Sequence, residues 1–580
     1  MNNDNNGPRR SCFASALLVL LLHVANPCCG QHPGDHANSP ERPAREYSTS
    51  PISSSDVGRW RADLDFLIGK IEELHPEPYR RFSEAEFHAA VAGIKEEIPQ
   101  LASHEILVRF AQLLALVGDG HTSLPLYAAN GIGFHVLPCR FGIYGTEVYI
   151  EAADQAYSEI VGGRVMQIGG VPIHEALSRA TPLISRDNDN WIGAVAPFLL
   201  NRIEVLHALG LSEDLREGEL VVEKDGKTFT TTIKALPDPP REHLLAFRPE
   251  YTANWIDARD LASSAAPLYQ SNFEQMYFWQ YLPKEDLLYI KWDQVQNRAS
   301  GPTALEVFRE AMAFAREQLP SKTVIDIRNN TGGEGTLGIP IIREVVRTRE
   351  IDEPGKLFVV IGRRTFSAGQ MLTAWFQQFT SAILVGEPSS AYYNGYAGHV
   401  HAVLPNSQVT ISIAPDYYQL SAIPRDTRQQ ATPRLAARPT FEAYLANRDV
   451  ALETILDYSP SSLRHDVLHL LTAGETAAAK QAIQDFAAMP VNEFISAKSE
   501  LNALGYELIR QHQLELAVTV MQLNVSVHPH YANGWDSLGE ALLQLDRREE
   551  AVSAFRKAIE ISPGLETSLR WLEHLDVDQN

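Results

Sequence analysis

Residues 356–379 read KLFVVIGRRTFSAGQMLTAWFQQF. Leu357 to Ile361 form a short, unbroken apolar run, the pattern of a strand buried on both faces. From Met371 the apolar residues fall at helical spacing, so the stretch predicts a strand, a turn and a helix. Ser367 sits at the junction. A serine there serves either as a helix N-cap or as a nucleophile held at a helix N-terminus, and Thr365 competes for the capping role. Around this unit the runs DLLYIKW, TVIDIR and AILVGE alternate with helical stretches such as ALEVFREAMAFAREQL. That alternation predicts βα units around a largely parallel sheet over residues 246–450, an α/β class whose ligands gather in loops at one end of the strands.

Two further segments carry chemistry. Gly118-Asp119-Gly120-His121-Thr122 follows an apolar helix, and Asp326 to Gly333 (DIRNNTGG) ends a buried strand. Acyl transfer by serine needs a base within hydrogen-bond reach and donors for the oxyanion. His121, in a glycine-flanked turn, supplies an imidazole suited to that role near neutral pH. Gly332 and Gly333 let backbone N–H groups approach a substrate, and the N–H of Ala368 lies beside Ser367 at the helix start. Singly, each feature is weak: a histidine in a turn is usually structural, and a Gly-Gly pair is usually a turn.

The remaining chain sets bounds. Its 580 residues, 44% hydrophobic and 21% charged, are ordinary globular material for several domains. A formal charge of −22 argues against nonspecific binding to nucleic acid or anionic membranes. Residues 1–30 place Arg9 and Arg10 before an apolar core, Phe13 to Ala25, and predict a secretory signal and hence an exported protein. A membrane association would follow only from lipid anchoring at Cys28 or Cys29. Residues 31–55 read as a flexible linker. Residues 56–125 form a helical region carrying GDGHT, in which Ser83 and Glu86 make a capping-box pattern. Residues 126–245 alternate strands and loops, and VGGRVMQIGGVPIHEAL within them resembles part of a PDZ domain. In residues 451–580, Leu504, Gly505, Ala517, Met521 and Pro529 recur 34 residues later as Leu538, Gly539, Ala551, Phe555 and Pro563. That offset matches the tetratricopeptide (TPR) pattern. It predicts helix hairpins that bind a protein partner or cap the preceding domain, with a degenerate unit at LHLLTAGETAAAKQAIQDF. Cys139 is the one cysteine sure to remain after signal removal. His399 and His401 form an HxH pair, read as strand or pocket-rim residues; no metal site and no cofactor are expected.

Taken together, GDGHT, VIDIRNNTGG, TFSAGQMLTAWF, AILVGEPSS, LPNS (Leu404–Ser407), FEAYLANRDVALETIL and LHPEPY (Leu74–Tyr79) resemble the C-terminal-processing, or tail-specific, serine peptidase family over about residues 56–450. The resemblance implies a crotonase/ClpP-like ββα core with a PDZ-like β-rich insertion, and Ser367 as nucleophile. One branch of that family uses a lysine downstream of the serine, but no lysine lies between Lys356 and Lys480. The other branch, typified by the tricorn core protease, uses an amino-terminal histidine, which matches His121. That branch adds a serine beside the histidine and a downstream glutamate. Here Gly120 precedes His121, and PRLAARPTFEAY carries Ala436, Ala437 and Arg438 where the glutamate is expected. Glu387, Asp416, Asp426 and Thr122 remain as orienting candidates. The sequence therefore supports an exported serine endopeptidase acting on peptides or unfolded protein tails. The alternative is an inactive peptidase-like scaffold working through its pocket and TPR repeats.

Overall fold

A computed structural model describes residues 46–127, 132–237, 254–262, 264–272, 275–423, 426–458 and 463–577. The expected signal segment, Cys28, Cys29 and most of the linker lie outside them.

Three helices open the described chain: α1 (Val57–Leu74), α2 (Glu84–Glu97) and α3 (Ser103–Val117). The capping box at α2 is formed, with the Ser83 hydroxyl accepting from the Glu86 N–H and the Glu86 carboxylate accepting from the Ser83 N–H. Leu64, Leu67 and Ile71 of α1 and Phe110 and Leu114 of α3 share one core with Leu404, Ile411 and Ile413, which come from far along the chain. Buried Asp63 on α1 fastens that distant segment by accepting from the backbone N–H groups of Asn406 and Ser407. LPNS is thus a docking loop. Helix α3 ends at Gly118, whose φ of 84° is the left-handed cap that reverses the chain into the GDGHT turn.

The β-rich region follows, with β1 (Cys139–Tyr144), β2 (Glu147–Asp154), β3 (Arg164–Ile168), β4 (Val171–Pro172), β5 (Glu217–Lys224), β6 (Lys227–Lys234) and β7 (Trp255–Asp257). They make an antiparallel sheet in the order β1-β2-β3-β5-β6, with β4 on β3 and β7 on β2. Helices α4 (Ile173–Ala180), α5 (Asn190–Leu199) and α6 (Ile203–Ala208) interrupt it.

The α/β core contains β8 (Tyr277–Leu282), β9 (Leu287–Trp292), α7 (Ala304–Gln318), β10 (Lys322–Asp326), α8 (Gly338–Arg347), β11 (Leu357–Ile361), α9 (Ala368–Phe379) and β12 (Ile383–Gly386). Two hairpin strands, β13 (Asn394–Ala397) and β14 (Val400–Val403), pair with β16 (Asp416–Gln419) and β15 (Thr410–Ile413), and β17 (Leu435–Ala436) closes the set. The sheet order is β17-β12-β11-β10-β9-β8, parallel throughout except for β8. Alternate residues of these strands serve different cores. Ile290, Ile325 and Val359 pack under α7, α8 and α9, whereas Tyr289, Val324 and Phe358 face the side covered by Ile455. A sheet covered on both faces accounts for strands that are apolar without alternation.

Helices α10 (Phe441–Leu445) and α11 (Val450–Asp457) lead into α12 (Leu463–Thr472), α13 (Thr476–Ala488), α14 (Ala497–Arg510), α15 (Leu514–Val527), α16 (Ala532–Gln544), α17 (Arg548–Ile561) and α18 (Glu566–Val577). A Cβ at Gly505 would stand 2.5 Å from the Met521 side chain, and one at Gly539 would stand 2.4 Å from the Phe555 ring. The repeated glycine is a contact point at which paired helices approach closely. The chain is thus mixed α/β with an amino-terminal helical region and an all-α TPR tail. No described helix is long and apolar enough to cross a membrane.

Candidate active site

Ser367 ends the turn after β11 with φ 50° and ψ −124°, a conformation that a non-glycine residue adopts at a cost of about 1–3 kcal/mol. Although it stands at the start of α9, its side chain makes no capping bond. Nor does Thr365 cap the helix: its hydroxyl donates to the Ile327 carbonyl and accepts from the Gly362 N–H. The Ser367 hydroxyl instead meets Nε2 of His121 at 3.0 Å, across 246 residues of chain.

Three backbone anchors hold the turn that carries His121. The Asp119 carboxylate accepts from the N–H groups of His121 (2.8 Å) and Thr122 (2.6 Å) through Oδ1. Its Oδ2 lies 3.2 Å from Nε2 of His75, in LHPEPY. The Glu77 N–H donates to His75 Nδ1, so the His75 proton resides on Nε2 and points at Asp119. Buried Asp187 accepts from the Gly120 N–H at 2.8 Å and from the Tyr392 N–H at 3.2 Å. Burial and the neighbouring Asp119 push Asp187 up to about 7. Burial alone would also raise Asp119, but the bonds from His75 and Thr122 and the nearby imidazoles hold it below its ordinary value. Position 120 must stay small because a Cβ there would lie 2.6 Å from Phe366. The Phe366 ring stacks on His121 at 4.7 Å between centroids, and Trp191 stacks on Phe366 at 4.5 Å.

Burial, and then the neighbouring His399, bring His121 down to about 3, so the ring is neutral at physiological pH, as a general base requires. Its Nδ1 is buried beside the Tyr396 backbone without a hydrogen bond of ordinary geometry. His399, read from sequence as a strand or rim residue, stands 5.1 Å from His121 between centroids and shares a 3.0 Å contact with Ser412. The bridge between Ser123 and Ser412 ties the His121 turn to β15.

The Gly-Gly loop packs directly on Ser367. A Cβ at Gly332, whose φ is 115°, would sit 2.6 Å from Ser367 Cβ and 3.0 Å from its Oγ. Asn330 staples this loop: its side chain accepts from the Gly332 N–H and donates to the Trp292 carbonyl, while its own carbonyl accepts from the Phe366 N–H. The Gly332 N–H is therefore already used. Among the described residues, the N–H groups of Gly333 and Ala368 make no such bond and remain for an oxyanion.

Among the described residues, none of the four orienting candidates hydrogen-bonds the His121 ring. Glu387 pairs with Arg363 and lines an arginine-rich cavity of about 200 Å³ between the β-rich region and the core. Asp426 pairs with Arg428, and Asp416 is exposed on β16. The Thr122 hydroxyl accepts from the Ala414 N–H. The segment holding Ala436, Ala437 and Arg438 is the edge strand β17 and its exit, and Arg438 pairs with Glu493 near the TPR helices. Sequence reading gave no role to Asp119, His75, Asp187, Asn330, Phe366 or Trp191. For Asp119, His75, Asn330 and Phe366 the signal was present, since all four lie inside motifs already singled out.

The tetratricopeptide repeat family matches residues 532–565. No curated protein matches the chain. Among solved structures, a serine-to-alanine mutant of CPAF is 12% identical, covers 70% of this chain and 100% of its own, and has a TM-score of 0.50. Mature CPAF is 12% identical over 72% of this chain and 99% of its own, with a TM-score of 0.47. The photosystem II D1 C-terminal processing protease is 13% identical over 70% of this chain and 97% of its own, with a TM-score of 0.32. At these identities the likeness concerns the fold, which is peptidase-like.

Proposed function

We propose that this protein is a serine endopeptidase of the histidine-dependent kind, cleaving peptides or unfolded protein tails. The observation that carries the proposal is the 3.0 Å contact between Ser367 Oγ and His121 Nε2, made by a serine hydroxyl that caps nothing. In the reaction, Ser367 Oγ attacks the scissile carbonyl carbon while its proton passes to His121 Nε2. The carbonyl oxygen takes the negative charge and is held by the Ala368 and Gly333 N–H groups. The imidazolium then gives its proton to the departing amine as the C–N bond breaks. Water repeats the sequence on the acyl-enzyme and restores the free serine. With Nε2 as the acceptor, the His121 proton sits on Nδ1, beside the Tyr396 backbone; no carboxylate is required there, since orientation comes from the Asp119 turn and the Phe366 ring. Export after removal of residues 1–30 and recruitment of a protein through the TPR helices belong to the same proposal, as does the tricorn-like affinity.

The test is labelling with an active-site-directed fluorophosphonate and turnover of a mixed peptide library. Stoichiometric labelling at Ser367, lost in Ser367→Ala and in His121→Ala, is expected. Well-folded wild-type protein that neither labels nor cleaves would favour the scaffold reading, which the buried, weakly partnered Nδ1 of His121 motivates.

A further inference from the structure

Away from Ser367, the start of α3 and the end of α6 bring together His104, Glu105 and His207, whose ligand atoms all lie within 4.8 Å of one another. His104 Nε2 is 2.9 Å from His207 Nδ1, and Glu105 Oε1 is 3.7 Å from that same nitrogen. We propose that these three side chains form a zinc site that clips the β-rich region to the helix carrying the His121 turn.

One shared proton between the two imidazoles explains the 2.9 Å contact but leaves the carboxylate unexplained. At 3.7 Å, Glu105 Oε1 is too distant for a hydrogen bond to His207 and nevertheless converges on the same point. A tetrahedral Zn²⁺ with Zn–N and Zn–O bonds of about 2.0–2.2 Å places its ligand atoms about 3.3 Å apart. Two of the three separations, 2.9 and 3.7 Å, bracket that edge, and the third is within 4.8 Å. The two Glu105 oxygens are also divided in labour. Oε2 accepts the Ala102 N–H at 2.7 Å and so fixes the carboxylate, which leaves Oε1 for a cation. His104 is fully buried, and a metal bound between the two imidazoles would displace the one proton they share. His207 and Glu105 retain 15% and 25% side-chain exposure, which opens the fourth position to water. Two imidazoles, which are borderline donors, beside a single carboxylate suit zinc rather than calcium or magnesium.

The role is structural. At about 1.5 Å per residue, α3 carries His121 roughly 20 Å from this cluster, too far for the metal to act on the reaction. Spacing in the sequence could not suggest the site, because His104 and His207 are 103 residues apart. The expectation of no metal rested on sequence alone.

The full chain, stripped with EDTA, is titrated with Zn²⁺ against a chromophoric chelator, and with Co²⁺ as an absorbance probe. One tight equivalent is expected, with a rise in Tm on Zn²⁺ addition and a tetrahedral Co²⁺ band. His207→Ala should weaken that equivalent at least 100-fold, and Glu105→Gln, which keeps an oxygen for the Ala102 N–H, at least 10-fold. The metal-free variants should melt close to metal-free wild type, which separates loss of ligation from loss of folding. Either of two results overturns the proposal: no stoichiometric equivalent in wild type, which leaves a plain imidazole pair, or an equivalent unchanged in His207→Ala, which places the metal elsewhere.

Discussion

Replacing Asp119 with asparagine tests how His121 is held without a carboxylate against its ring. In the wild type, Oδ1 accepts two backbone N–H groups at 2.8 and 2.6 Å, and Oδ2 faces the protonated Nε2 of His75 at 3.2 Å. Asparagine has one oxygen and one NH₂ group. If its oxygen stays with the backbone, the NH₂ group meets the His75 donor; if it turns to His75, the NH₂ group meets two backbone donors. At least one charge-assisted bond is therefore lost in either arrangement, at a cost of about 1.5–3 kcal/mol for the first. Expressed in the alignment of His121 with Ser367, that cost corresponds to roughly a 10- to 150-fold loss in kcat/KM. The assay is the second-order rate of fluorophosphonate labelling, read beside peptide turnover and the unfolding midpoint. A cycle with His75→Ala should be non-additive by about 1 kcal/mol or more, because both changes break the same contact. Labelling of Asp119→Asn within twofold of wild type, or strict additivity in the cycle, would refute this account of the turn.

Relaxing the turn at Ser367 should separate stability from activity: Ser367→Gly removes the cost of φ 50° and should raise stability by about 1 kcal/mol while abolishing labelling, as measured by urea unfolding. Gly332→Ala, whose new Cβ would stand 2.6 Å from Ser367 Cβ, should cut labelling by at least about 100-fold; a fully active variant would move the Gly-Gly loop off Ser367. Acid should weaken the fold through its buried imidazoles. His121 and His104 are both held down to about 3, so the unfolded chain takes up protons first as pH falls below about 6.5. Stability from this source is complete above about 6.5 and is lost as pH falls toward 3. His121→Gln should flatten the slope of the unfolding midpoint across that window, and an unchanged slope would count against a buried neutral ring. Gly539→Ala, which drives a methyl into the Phe555 ring, should destabilise the TPR helices by about 1–3 kcal/mol and leave Ser367 labelling unchanged.

The parallel core was legible in the sequence because its strands are buried on both faces and its helices repeat at their own period. Leu357–Ile361 followed by α9 could hardly fold otherwise than as a strand and a helix. The TPR helices were legible for a similar reason: each hairpin packs on its neighbour, so Gly505 and Gly539, and Met521 and Phe555, stand at matching places 34 residues apart. The orienting candidates illustrate where that reasoning stops. Glu387, Asp416 and Asp426 were named for their charge and position along the chain, and two of the three were claimed by arginines, Arg363 and Arg428.

The sequence by itself determined the local units and the residue types at their junctions, since periodicity, capping and turn chemistry act over a few residues. It placed Ser367 between a strand and a helix, and His121 in a tight turn, without deciding whether they meet. Only the tertiary structure decided that, through Asp63 docking the LPNS loop and the Ser123–Ser412 bridge tying the turn to β15. The same holds for Asp119 facing His75, for Asn330 consuming the Gly332 N–H, and for His104 meeting His207. Each depends on where remote segments land when a shared core is buried, and burial is a property of the whole chain that no local pattern encodes.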